Sequence, residues 1–352
     1  MANKRFDIAK PMQVGGQAVL EGVMMRAPGM IATAVRRADG TIVVRKDPFV
    51  SLAERYPMFK SPVVRGAVGL VEMLVIGVRT LNYSGEIAME DLGREEAKEA
   101  AQAGPAPDLE RDVSVTSASG GAGPVPASSS GDKAKLGLTV LVALLAGAAL
   151  FFATPLFVAT TFFSVEQEPL LFNLVAGGVR MTIFLAYLVS ISLLRDVRRL
   201  FQYHGAEHKV VFAFEKGEML DVASAARQVR FHPRCGTSFL LIVMLVSILL
   251  FAMLDAALIL WLGPISLVTR LVTHLPLLPL VGGVSYELIR ISARHSSTMI
   301  GKMIVAPGLW LQKITTKEPD ESQLEVALMA LKAALGQEEA ASVPPQQVAA
   351  IG

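Results

Sequence analysis

Charge is scarce in this 352-residue chain. Only 18% of residues are Asp, Glu, Lys or Arg, against about 25% in an average soluble domain. With 52% hydrophobic residues and a mean hydropathy of +0.49, that shortfall argues against an ordinary soluble enzyme. Net charge is also small. A formal value of +2, with no basic stripe interleaved with aromatics, speaks against a nucleic-acid partner. Cysteine occurs once, at Cys235, so no disulfide framework can form within the chain. Residues 1–30 hold no long apolar run behind a basic start, so no signal peptide is expected.

What the chain has instead is long apolar runs. Leu136–Phe163 carries no charged residue, Leu170–Leu194 only Arg180, and Phe239–Leu262 only Asp255. A fourth run, Ile265–Ile289, contains Arg270, His274, Pro276, Pro279 and Gly282-Gly283 and reads as a broken span. Freed backbone groups at such a break are tolerated where protein or a cavity covers them. The sequence therefore predicts a mainly α fold: a polytopic helical membrane bundle of about four spans with a small N-terminal β-rich cytoplasmic module. Arg180 and Asp255 are costly in hydrocarbon and are expected to pair. The stretch 195–238 carries eight Lys/Arg, whereas 164–169 carries Glu166 and Glu168 and no base. By the positive-inside rule the 195–238 loop and both termini face the cytoplasm, with the lipid bilayer as the partner.

The soluble parts divide by composition. Residues 1–60 read as the β-rich module. Asp39-Gly40 stands between Ile31/Thr33/Val35 and Thr41–Arg45, a strong hairpin signal. Gly15, Gly22 and Arg26 read as turn glycines and a surface arginine. Residues 61–89 read as a helix lying on the membrane or packed under the bundle, and 90–132 as a disordered linker rich in Ala, Ser, Gly and Pro. The membrane domain fills 133–300. Residues 301–352 hold a cytoplasmic helix over 315–335 and a tail. Thr316 is expected to cap that helix, and Gly336 to end it.

The residues that point to chemistry lie in the cytoplasmic loop. In Tyr203-His204-Gly205-Ala206-Glu207-His208-Lys209, His204 and His208 are four apart and share one helical face. Two neutral imidazoles at that spacing can grip a divalent metal such as zinc, with Glu207 as the catalytic proton acceptor in the H-x-x-E-H order. Gly205 between them loosens the helix that fixes the spacing. A further ligand is needed. His232 and Cys235, in the same loop, would complete a four-ligand set; Glu287, near the end of the last span, is the alternative. Four protein ligands make a structural site, and three with an open position make a catalytic one.

Five strings, GGQAVLEGVMMR (Gly15–Arg26), YHGAEHK (Tyr203–Lys209), HPRCGTSF (His232–Phe239), YELIR (Tyr286–Arg290) and PGLWLQKITTKEP (Pro307–Pro319), occur in order. Together they resemble the bacterial YqhQ-like family, a family of unknown function loosely described as candidate metal-dependent enzymes. The resemblance implies an integral membrane protein. Two function classes follow: a metal-dependent hydrolase at the cytoplasmic face, or a non-catalytic membrane scaffold or assembly factor in which the same residues form a structural metal site or none.

Overall fold

The structure is a computed structural model that describes residues 14–102, 138, 141–143, 145–147, 149–162, 169–294 and 298–337. The linker beyond residue 102, the connection 163–168 and the tail past 337 lie outside the described residues.

Four strands come first: β1 (Gly15–Val19), β2 (Gly22–Ala27), β3 (Gly29–Arg36) and β4 (Ile42–Phe49). The longer helices are α1 (Val64–Gln102), α2 (Thr154–Phe162), α3 (Pro169–Ser192), α4 (Arg195–Glu215), α5 (Gly236–Leu262), α6 (Leu267–His274), α7 (Leu278–Arg294), α8 (Met299–Thr315) and α9 (Glu321–Leu335). The chain divides into two compact units. The larger takes its residues from Met1–Asp91, Tyr187–Leu250 and Ser266–Gly352, the smaller from Leu92–Ala186 and Phe251–Ile265.

In the larger unit the strands form one antiparallel sheet in the order β1-β2-β3-β4. The Asp39-Gly40 hairpin forms as its sequence predicts: Gly40 has φ 86°, and Asp39 Oδ1 accepts from the Thr41 N–H at 2.9 Å. A second turn, Leu20-Glu21, separates β1 from β2 without the usual turn residues, and Glu21 takes φ 50°. It is held there from outside. The Glu21 carbonyl accepts from Arg36 N–H at 2.8 Å, and its carboxylate from Arg199 Nη2 at 2.6 Å and Tyr203 Oη at 3.3 Å.

Alternation along the strands puts the sheet between two helical layers. Val23, Met25, Ala32 and Ala34 join Tyr203, Ala206 and Val210 of α4 and Leu324, Ala327, Leu328 and Leu331 of α9 in the main core. The opposite set, Val19 with Val35 and Met24 with Ile31, packs on Ile87 and Ile76 of α1. Successive side chains of a strand point to opposite faces. The small Ala32 and Ala34 leave room for α9 on theirs.

Two boundaries differ from the sequence reading. Helix α1 runs through residues 90–102, which were expected to be linker. That stretch is Glu/Ala-rich and free of Pro, and Glu90 stands four residues before Arg94, a favourable helical pair. Helix α9 begins at Glu321, capped by Asp320 in a capping box with Gln323 rather than by Thr316. Thr315 and Thr316 instead close α8, whose last turn wins those residues because Thr316 N–H bonds back to the Gln312 carbonyl. Gly336 ends α9 at φ 69°, as expected.

Four helical stretches are long and apolar enough to cross a membrane: Leu141–Phe162, Leu170–Ser192, Gly236–Leu262 and Val268–Ser292. At most 28% of any one is buried within the chain, so their apolar side chains call for a nonaqueous surrounding. The last is broken as its prolines predict, with a 3₁₀ turn at Leu275–Leu277 between α6 and α7.

In the smaller unit Asp255 and Arg180, which lie within two of the candidate spans, each have a polar neighbour. Asp255 Oδ2 accepts from Asn173 Nδ2 at 2.7 Å, and Arg180 Nε donates to the Phe151 carbonyl at 2.9 Å. Pro155 stands four residues after Phe151 and has no N–H to offer that carbonyl. A π-helical turn, Ala149–Ala153, leads into the proline.

Candidate metal centre

Helix α4 follows the second candidate span, and Cys235 immediately precedes the third. Tyr203, Ala206, Glu207, Val210 and Val211 recur at helical spacing and bury one stripe of α4. His204 and His208 lie beside that stripe, one turn apart, with ring centroids 4.5 Å from each other.

Gly205 has a different role from the one its helix propensity suggests. A Cβ there would come within 2.1 Å of the Lys317 carbonyl oxygen. Its absence lets the segment between α8 and α9 cross directly over α4, where Lys317 N–H donates to the Phe201 carbonyl at 2.8 Å. The same crossing delivers the end of α8 to the histidines. Glu318 follows at once and receives Lys209 Nζ as well as Arg230 Nη1, the latter at 3.2 Å.

Both imidazoles are oriented through Nδ1. His204 Nδ1 donates to the Thr315 carbonyl at 2.8 Å, and His208 Nδ1 to the Arg230 carbonyl at 2.5 Å. A carbonyl can only accept, so Nδ1 carries the proton in each ring and Nε2 is left for the site. Cys235 supplies the third donor, with Sγ 3.1 Å from His204 Nε2. The donor atoms of His204, His208 and Cys235 all lie within 4.8 Å of one another. Donors on one tetrahedral zinc, at about 2.0–2.3 Å each, would stand about 3.3–3.8 Å apart. The set therefore fits such an ion after a small contraction, and its mix of one thiolate and two imidazoles suits zinc chemically.

Electrostatics already favour the thiolate. Cys235 stands at the N-terminus of α5, where Thr237 N–H and Oγ1 approach Sγ at 3.4 and 3.2 Å. Burial pushes the thiol pKa up, but His204 and His208 outweigh it and hold Cys235 well below the ordinary thiol range. Burial likewise pushes His204 down, yet the Cys235 sulfur, with Glu207 and the Thr315 carbonyl, raises it to about 9. Both shifts run in the direction that favours an imidazolium beside a thiolate.

Glu207 is buried, with Oε2 3.4 Å from His208 Nε2. Strand β1 passes over it so closely that a Cβ on Gly16 would lie 2.7 Å from Glu207 Cγ. The β module therefore covers the histidine helix. His232 lies near the group but outside it, 5.6 Å from His208 between ring centroids. Both of its nitrogens are engaged, Nδ1 by Arg234 N–H at 3.3 Å and Nε2 by Glu215 Oε2 at 3.3 Å. Burial pushes His232 down to about 4, which makes it neutral. Glu287 is held by Arg65, with Nε and Nη2 at 2.7 and 2.6 Å from its two oxygens. Of the remaining glycines and arginine singled out in the sequence, Gly22 admits the Ala34 carbonyl and Arg26 covers the Phe49 ring at 4.5 Å.

Three contributors were missed by sequence reasoning. Gln312, Thr315 and the Arg230 backbone fix the rings and the loop. The only signal for the first two is that they fall in the string Pro307–Pro319.

Comparison with known proteins gives two matches. A family model described as a protein of unknown function, DUF1385, covers residues 61–337. A curated relative from Bacillus subtilis (strain 168), "Uncharacterized protein YqhQ", is 30% identical over 324 residues, or 90% of this chain and 91% of the relative. No solved structure matches.

Proposed function

The chain belongs to the DUF1385 family, a membership that carries no activity with it, and we propose from the site itself that this is a multi-pass protein of the bacterial inner membrane whose His204, His208 and Cys235 hold one divalent cation, zinc by preference, at the cytoplasmic face. The observation that carries this reading is the convergence of three donors from two elements, with both Nδ1 atoms tied to backbone carbonyls. Such carbonyl partners fix the tautomer and aim Nε2, the usual outer arrangement around a metal-bound histidine.

The finer reading is a hydrolase. A zinc ion with three protein ligands lowers the pKa of a water in its open position to about 7. Glu207 Oε2 stands where a carboxylate can take a proton, facing the Nε2 side of His208. Arg230 and Thr315 keep the two rings from turning, and β1 at Gly16 shields Glu207 from bulk water. A second reading is favoured by burial. Glu207, His208 and Cys235 are all less than 10% exposed, which suits a closed structural centre with Glu207 as fourth ligand in a membrane scaffold.

Metal analysis of the purified protein tests the proposal. Wild type should hold one equivalent, and His204→Ala and His208→Ala much less; wild type far below one equivalent contradicts it. Glu207→Gln separates the two readings. A proton acceptor can be replaced with metal content intact, whereas loss of a fourth ligand lowers metal and abundance together.

A further inference from the structure

We infer that α8 is an in-plane membrane helix, its outer stripe seated in the headgroup–acyl boundary of the bilayer and its lysines on phospholipid phosphates. This rests on the reading that the chain lies in a membrane.

Helix α8 has two unlike faces. Gly301, Val305, Gly308, Leu311, Gln312 and Thr315 are buried against the rest of the chain. On the other side Met299, Ile300, Met303 and Trp310 are 65–79% exposed and recur at helical spacing. The helix is 17 residues long, about 26 Å, which falls short of the roughly 30 Å hydrocarbon core. It is suited to lie on a membrane rather than to cross one.

Two further features say what covers the stripe. The first is charge. Lys302 and Lys313 are exposed on the same side, and Lys313 Nζ lies 5.6 Å from the centre of the Trp310 ring. Tryptophan beside a basic residue is the usual anchor at the level of lipid headgroups. The second is continuity. Helix α8 packs against α7, the second half of the fourth candidate span. Helix α1 meets that same helix through Gly66 and Gly283, and it too exposes an apolar stripe, Leu70, Val71, Leu74, Val75 and Val78. Both stripes thus adjoin one lipid-facing helix. The inner end of α8 carries Gln312 and Thr315, which hold the His232 loop and His204. Bilayer contact along α8 therefore fixes the height of the metal centre above the lipid.

The chain has two tryptophans, Trp261 and Trp310, so depth can be read directly. Full-length W261F and W310F proteins are reconstituted in phosphatidylethanolamine/phosphatidylglycerol vesicles with bromines at shallow, middle or deep acyl positions. Trp310 emission, from W261F or from the difference between wild type and W310F, should be lost most with shallow bromines. If it survives every brominated lipid while Trp261 is quenched, protein or water covers the stripe and the inference fails. Loss greatest with the deepest bromines overturns it as well, since α8 would then be buried in the hydrocarbon. If neither tryptophan is quenched, the membrane reading itself falls, and this inference with it.

Discussion

Gln312 holds His232 by both polar groups of its backbone. Its Oε1 accepts from His232 N–H at 2.7 Å, and its Nε2 donates to the His232 carbonyl at 2.8 Å and to Ser238 Oγ at 2.9 Å. The Gln312 side chain is completely buried. Three residues after His232 comes Cys235, so this clamp sets where the sulfur arrives. Gln312→Leu would leave the buried N–H and carbonyl without these partners, at about 1–3 kcal/mol each. The expected outcome is a lower Tm together with weaker metal binding, checked by thermal denaturation and metal titration. Unchanged metal affinity would separate the clamp from the centre.

Gly205→Ala tests the crossing of the 316–319 segment over α4. On helix propensity alone alanine should stabilise by about 1 kcal/mol. The 2.1 Å approach of the Lys317 carbonyl predicts the opposite sign, a loss of about 1–3 kcal/mol as for an overpacked core. Because Thr315 directly precedes the displaced segment at the end of α8, the His204 ring should also lose its carbonyl partner. The histidine signals of labelled protein report that change.

A rescue experiment addresses the smaller unit. Arg180 Nε donates to the Phe151 carbonyl that Pro155 cannot serve. Arg180→Ala should lower the amount of full-length protein in the membrane fraction. Pro155→Ala restores an N–H four residues after Phe151, so the double variant should recover much of the loss. No recovery would mean that Arg180 acts through other contacts.

Much of this architecture was legible in the sequence because it depends on local pattern. Asp39-Gly40 announces its hairpin, the long apolar runs announce four candidate spans, and His204 and His208 announce one helical face. What could not be read depends on distant partners. The Leu20-Glu21 turn lacks turn residues because Arg36, Arg199 and Tyr203 hold it. Which of His232, Cys235 and Glu287 stands beside the histidine pair depends on residues far off in the chain. Gln312 and Glu215 engage His232, Arg65 engages Glu287, and Cys235 is delivered to His204 at the start of α5. Gly205 was misjudged for the same reason: its backbone neighbour, Lys317, is 112 residues away by number (317 − 205).

The pH dependence of metal binding follows from the thiolate–imidazolium pair. The two histidines hold Cys235 well below the ordinary thiol range, whereas His204 is raised to about 9. A cation must therefore displace one proton, from His204 Nε2. Apparent affinity should rise about tenfold per pH unit below pH 9 and level off above it. In Cys235→Ser the sulfur that raises His204 is gone, leaving Glu207 and the Thr315 carbonyl against burial, so the proton should leave at lower pH and the slope should level off earlier. Competition with a chromophoric chelator across pH measures both.

Cobalt(II) in place of the native ion gives the most direct reading of whether Cys235 joins the two histidines. Wild-type protein should take up one equivalent and show the intense near-ultraviolet band of a thiolate bound to cobalt. Cys235→Ser should lose that band and most of the metal. Stoichiometric cobalt without the band, or a Cys235→Ser protein that binds as tightly as wild type, would contradict the assignment.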